Sequence, residues 1–125
     1  METINALAAF AALAQETRLA VYRLLVEHAP DGLTAGKVAE TLAIAPASLS
    51  FHLKELTRAG LIVPRQDGRY VWYRADLDTM NAVVGYLTEN CCGSSAVCDP
   101  ACAPQSRPVA VATVAMPSPR RRRSA

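Results

Sequence analysis

Four cysteines stand at positions 91, 92, 98 and 102 of this 125-residue chain, and the ninety residues before them contain none. Thiols gathered inside twelve consecutive positions are a functional cluster rather than a scatter. In a reducing compartment such a cluster serves metal binding or thiol redox chemistry more often than structural disulfides. The spacing, Cys-Cys-x5-Cys-x3-Cys, lacks the Cys-x-x-Cys pairs normal for a structural zinc knot, although four sulfurs together would suit tetrahedral zinc or cadmium. A vicinal Cys91–Cys92 disulfide would be strained, whereas Cys92 with Cys98 or Cys102 is a feasible redox pair. The two histidines, His28 and His52, read as a helix-end surface group and a recognition-motif residue rather than as ligands. No enzyme is expected: a thiol enzyme acting on a phosphate-type anion needs an anion loop between a strand and a helix, and Gly93-Ser94-Ser95 has neither around it.

The length favours one small domain, and 51% hydrophobic residues suffice for a modest core. The chain has no run of eighteen apolar residues and no signal-peptide pattern, so a cytoplasmic location without membrane partners is expected. The net charge of +2 is unevenly spread: residues 34–75 carry six basic against three acidic residues, and Arg120 to Arg123 form a basic run. Charge alone is a weak argument for nucleic acid.

The elements that must position these groups follow from periodicity. Ala45 to Gly60 reads as a helix with Pro46 at its first position, Gly60 just past its end, and Leu49, Leu53 and Leu56 as one apolar stripe. Its other side offers Ser48, Ser50, Phe51, Lys54 and Arg58, a mixture suited to a DNA major groove but also compatible with an ordinary solvated face. Before it, Thr34 can cap a helix through Leu42 with Val38, Ala39 and Leu42 buried, and Ala43 to Ala45 is a tight turn, so the pair makes a helix-turn-helix. After it, residues 61–66 and 69–74 flank Asp67-Gly68, a hairpin signal in which both turn positions need positive φ, and Pro64 marks an edge strand. Helix-turn-helix followed by a hairpin with arginines about its tip predicts a winged helix: mainly α with a small β-hairpin. That combination favours DNA over the solvated-face reading.

Three further helices are expected. Residues 3–14 suit a helix capped by Thr3, with Ile4, Leu7 and Ala11 on one face and Phe10 and Leu13 widening it; Glu16 to His28 suits a second, with Leu19, Tyr22, Leu25 and Val26 inward and Arg18, Arg23 and Glu27 toward water. Asp76 caps the last, in which Leu77, Met80, Val84 and Leu87 recur by three and four like a coiled-coil seam. Packing on the domain is the plain explanation of that seam. The middle helices already enclose a core, however, and the apolar first helix also needs cover. A homodimer through the terminal helices, using Ile4, Leu7, Leu77, Met80, Val84 and Leu87, is therefore expected, presenting two recognition helices to a palindromic operator. Residues 1–92 then form the DNA-binding and dimerisation domain, and 93–125, rich in proline and small residues, read as a flexible tail whose arginines are a solvated charge run.

The order of elements resembles the ArsR family of metal- and metalloid-responsive bacterial repressors. The resemblance is carried by Glu16-Thr17-Arg18-Leu19, Ser48-x-Ser50-x-His52-Leu53-Lys54-x-Leu56, Ala59-Gly60-Leu61-Ile62 and Gly68-Arg69-Tyr70-Val71-Trp72-Tyr73, and it covers most of residues 5–90. It implies a winged-helix homodimer that binds operator DNA when free and releases it with inducer. The cysteine-valine-cysteine site of many arsenic sensors is missing, since Thr34 to Ala39 holds no thiol. The zinc site along the last helix is missing too, since that helix has Asp78 after Asp76 but no histidine. Asn90-Cys91-Cys92-Gly93, with Cys98 and Cys102 behind it, resembles the C-terminal arsenite site of one branch of the family. That branch implies Cys91, Cys92 and Cys98 as ligands, with Cys102 in reserve. Three thiolates in a trigonal pyramid suit As(III) or Sb(III), and no organic cofactor is expected. Ser48, Ser50 and His52 are expected at bases or nearby phosphates, and Lys54, Arg58, Arg65 and Arg69 at phosphates. An oxidant-sensing or a zinc- or cadmium-responsive repressor is the alternative.

Overall fold

The computed structural model describes residues 1–91, so Cys92, Cys98, Cys102 and the tail expected over 93–125 lie outside the described residues. The elements run α1 (Thr3–Leu13), α2 (Glu16–Glu27), β1 (Leu33–Thr34), α3 (Ala35–Leu42), α4 (Pro46–Arg58), β2 (Ile62–Asp67), β3 (Tyr70–Ala75) and α5 (Leu77–Thr88). Residues Met1–Leu87 form one compact unit, and Thr88 begins a second. Among the described residues no helix is long and apolar enough to cross a membrane.

The core of the first unit gathers Val21, Leu25, Val38, Leu49, Leu56 and Leu61 from three helices and the base of the hairpin. α4 has the ends its sequence demands. Pro46 opens it, and past its close Gly60 takes a φ of 81°, while Gly60 N–H donates to the Thr57 carbonyl and Leu61 N–H to the Leu56 carbonyl. Those two bonds are the Schellman pattern, and the buried Leu56 and Leu61 form the apolar contact that goes with it. The Thr34 hydroxyl accepts from Lys37 N–H at 3.2 Å and caps α3, and Asp76 Oδ1 accepts from Thr79 N–H at 3.3 Å and caps α5. Between α3 and α4 the turn is closed by Ala43 in a left-handed conformation, with Ile44 N–H donating to the Ala39 carbonyl at 3.0 Å.

Several expectations are corrected. The hairpin turn is shifted by one residue: Asp67 pairs with Tyr70, so the loop is Gly68-Arg69, with positive φ at Gly68 alone. That is the signature of a type II′ turn, with glycine first, and it puts Arg69 at the tip. The wing also belongs to a three-stranded antiparallel sheet in the order β1-β3-β2, because Leu33 and Thr34 pair with Tyr73 and Trp72. Pro64 is on the edge strand as expected. Gly32 makes β1 possible: its φ is 83°, and a Cβ there would run into the Tyr73 carbonyl oxygen.

The helices at the start of the chain also differ in their faces. Thr3 does not cap α1; Glu2 is the N-cap residue and makes no side-chain bond, and the Thr3 hydroxyl instead lies 2.6 Å from the Tyr86 hydroxyl of α5. The inner face of α1 is Ala6, Ala9 and Ala12, while Ala11 is exposed. In α2 the buried residues are Val21, Tyr22, Leu24 and Leu25, and Leu19 and Val26 are exposed; the apolar residues of α2 run nearly all round it, so periodicity alone does not choose the inner face. Arg18 does not face water freely, because its Nε donates to the Ala12 carbonyl at 2.6 Å.

Candidate nucleic-acid interface

α4 is held by its buried stripe of Leu49, Leu53 and Leu56, and this leaves Ser48, Ser50, Phe51, Lys54 and Arg58 exposed on the rest of its circumference. Arg58 is paired with Glu55 at 3.0 Å, whereas the Lys54 ammonium has no ion-pair partner among the described residues. His52 is half-buried. Its Nδ1 lies 3.5 Å from Arg18 Nη1, and its ring meets that of Phe51 edge-on at 5.6 Å. Arg18 therefore spans from the end of α1 to the middle of α4, a bracing role that its charge disguised in the sequence.

On the wing, Arg65 stands across from Trp72 in the register, and its guanidinium lies 5.6 Å from the indole ring centre. The Arg65 head is also 3.8 Å from Asp67. Trp72 thus directs Arg65 through a cation–π contact, worth about 0.5 to 1 kcal/mol at an exposed site. Sequence reading missed that role, though the signal existed: once the hairpin register is known, the two residues are cross-strand neighbours. Arg69 is exposed at the tip beside Tyr70, itself an exposed aromatic. Between α4 and the wing runs a groove bordered by Ser50, Lys54, Thr57, Arg58, Pro64 and Tyr73, which brings the cations of α4 and the residues of β2 and β3 to one face. Of the seven DNA-contact candidates other than His52, five (Ser48, Ser50, Phe51, Lys54 and Arg58) lie on α4 outside its stripe, and Arg65 and Arg69 lie on the hairpin.

The candidate dimer residues divide differently. Ile4 and Leu7 on α1 and Leu77, Val84 and Leu87 on α5 are exposed, and Met80 is half-buried against the core. Cys91 is exposed, three residues beyond the end of α5. Among the described residues no group of three or more His, Cys, Asp or Glu side chains is placed to hold a metal ion.

A two-helix reader backed by three further helices and flanked by a β-hairpin is a winged helix-turn-helix, the fold of a large class of DNA-binding transcription regulators. A helix-turn-helix domain model matches residues 13–65. The chain is 41% identical over 69 residues to the uncharacterized HTH-type transcriptional regulator YceK of Bacillus subtilis (strain 168), covering 54% of this chain and 68% of that protein. An ArsR-like transcriptional regulator from Rhodococcus sp. RHA1 superposes with a TM-score of 0.58 at 28% identity, over 67% of this chain and 76% of that one. A possible transcriptional regulator for arsenical resistance superposes with a TM-score of 0.54 at 30% identity, over 62% of this chain and 77% of that one. The chain belongs to the ArsR family of winged-helix transcription regulators.

Proposed function

We propose that the protein is a homodimeric repressor that holds a palindromic operator and releases it when trivalent arsenic or antimony binds Cys91, Cys92 and Cys98, with Cys102 in reserve. The observation that carries this reading is the position of Cys91, which opens the thiol cluster three residues past α5, the helix whose apolar stripe stays exposed. A second copy of the chain would cover Ile4, Leu7, Leu77, Val84 and Leu87, and a metalloid tied to the end of α5 would then act on the dimer rather than on α4 directly. The similarity to a possible regulator for arsenical resistance supports the metalloid reading.

In this scheme the two recognition helices move as bodies, and repression ends when their spacing no longer fits two half-sites about one helical turn apart. By linkage, operator DNA weakens metalloid binding by the same factor that the metalloid weakens DNA binding, typically about 1 to 3 kcal/mol. The test is release of a labelled duplex, recovered from a randomised pool by the full-length protein. Arsenite should release it from the wild type and not from Cys91→Ser/Cys92→Ser. Release from that double variant disproves the site. Release by peroxide with recovery in a dithiol reductant, without an arsenite response, identifies an oxidant sensor instead, and release by zinc or cadmium alone a divalent-metal sensor.

A further inference from the structure

We propose that Phe51 reads a thymine methyl group in the major groove, an inference that rests on α4 being the helix that enters that groove. At about 100° per residue, Phe51 lies roughly 190° around the helix from the centre of the Leu49, Leu53 and Leu56 stripe, so it stands at the apex of the outer face. It is 56% exposed. The residues sharing that arc are Ala47 one turn before it and Lys54 and Arg58 after it, with Ser48 and Ser50 on the flanks. A single exposed apolar side chain needs no explanation on an ordinary surface. Here, however, a large aromatic occupies the middle of a face otherwise made of small, hydrogen-bonding and cationic groups.

The ring is also held. It packs edge-on against His52, with an interplanar angle of 64°, and His52 is itself met by Arg18. A phenyl ring has no donor for a phosphate and no hydrogen bond for a purine or for cytosine. Among the base edges facing the major groove, the C5-methyl of thymine is the apolar one, and phenylalanine is among the side chains that contact it. The contact adds affinity only where the methyl is present, so Phe51 sets a preference for an A·T pair at one position of each half-site. The same methyl stands on 5-methylcytosine, so at that position methylated cytosine is preferred to cytosine.

The test uses the full-length protein and a duplex it selects from a randomised pool, with each thymine replaced in turn by uracil, which deletes only the methyl. One position per half-site should weaken wild-type binding by about fourfold, the equivalent of one buried methyl-sized group. At that position Phe51→Ala should bind thymine and uracil duplexes equally, and 5-methylcytosine should bind wild type more tightly than cytosine. Circular dichroism should show the variant as helical as the wild type, since alanine is the better helix former. If uracil costs wild type and Phe51→Ala the same at every position, Phe51 is no methyl reader although α4 still binds DNA. If no duplex is selected at all, the DNA reading of α4 and this inference fail together.

Discussion

α4 and α5 are built by the same rules and end differently. They have 13 and 12 residues, each carries apolar side chains three and four apart, and each has a well-defined start, Pro46 in one and the Asp76 cap in the other. α4 buries its whole stripe in the core of its own chain. α5 buries Val83 and leaves Leu77, Val84 and Leu87 exposed, the last at 61%. Periodicity therefore announces that a stripe exists but not which surface covers it. Where the chain covers the stripe, as in α4, the opposite face keeps its polar and cationic groups in solvent, the face proposed to meet DNA; where it does not, as in α5, the stripe itself stays exposed, the surface proposed to meet a second copy.

The contrast is broken most directly by truncating one leucine from each helix. Leu56 has no exposed surface and packs under the Schellman turn, so Leu56→Ala should cost about 2 to 5 kcal/mol in urea unfolding. Leu87→Ala should change the stability of the dilute monomer by less than about 0.5 kcal/mol while weakening self-association in sedimentation. Equal losses in unfolding would show that α5 is packed as α4 is.

The hairpin connects the two helices, its second strand β3 running from the tip to Asp76, and Gly32 packs against β3. Gly32→Ala puts a methyl into the Tyr73 backbone at a φ of 83°. We expect a loss of about 3 kcal/mol, because a rigid strand rather than a movable side chain stands in the way. A loss below about 1 kcal/mol would mean that β1 peels away from β3 freely.

These joints explain what was legible beforehand. Most ends written in local chemistry match their sequence: Pro46 and Gly60 on α4, the Thr34 and Asp76 caps, and Pro64 on an edge; the exception is Thr3, whose hydroxyl meets Tyr86 of α5 instead of capping α1. Features decided by a distant partner were not legible. A two-residue strand such as Leu33–Thr34 has no periodicity, and it exists because β3 offers it a register. Asp67-Gly68 and Gly68-Arg69 both contain the glycine a tight turn needs, and cross-strand pairing chose the second. Arg18 looked solvated because charge usually is, yet the end of α1 supplied a carbonyl for it. The thiols of Cys91, Cys92, Cys98 and Cys102 were legible as chemistry, and only Cys91 falls among the described residues.

The outer face of α4 is sharpened by a smaller effect. Arg58 is already engaged by Glu55, whereas Lys54 has no acidic neighbour on the groove it borders. Lys54→Ala should weaken DNA binding by about 1 to 2 kcal/mol for a lost charged contact, equally for all sequences, and should reduce the slope of log affinity against log salt by about 0.9. Loss at one base position only would make Lys54 a base reader rather than a phosphate holder.

The smallest expected effect has the opposite sign and lies on α2, in the core. The Tyr22 hydroxyl is buried, and no hydrogen-bond partner for it exists among the described residues. Burial above all, and then the nearby Asp76 carboxylate at the start of α5, push its phenol above its ordinary value. The folded chain thus keeps a proton that the unfolded chain releases near pH 10. The stability this group contributes is fully present below about pH 10 and is lost as pH rises through the higher folded value. Tyr22→Phe removes both the buried hydroxyl and the titration. Because an unpartnered hydroxyl costs desolvation without a bond in return, the variant should be as stable as the wild type or more so, by up to about 1 kcal/mol at neutral pH. Its advantage should then grow above pH 10, because unfolding there lets the wild type release its phenolic proton, which favours its unfolded state, while the variant has none to release. Urea midpoints measured from pH 7 to 11 decide the matter: a destabilised variant at neutral pH would mean that the hydroxyl makes a stabilising bond, to ordered water for example, and parallel decline of the two proteins above pH 10 would mean that Tyr22 is not the group whose proton is held.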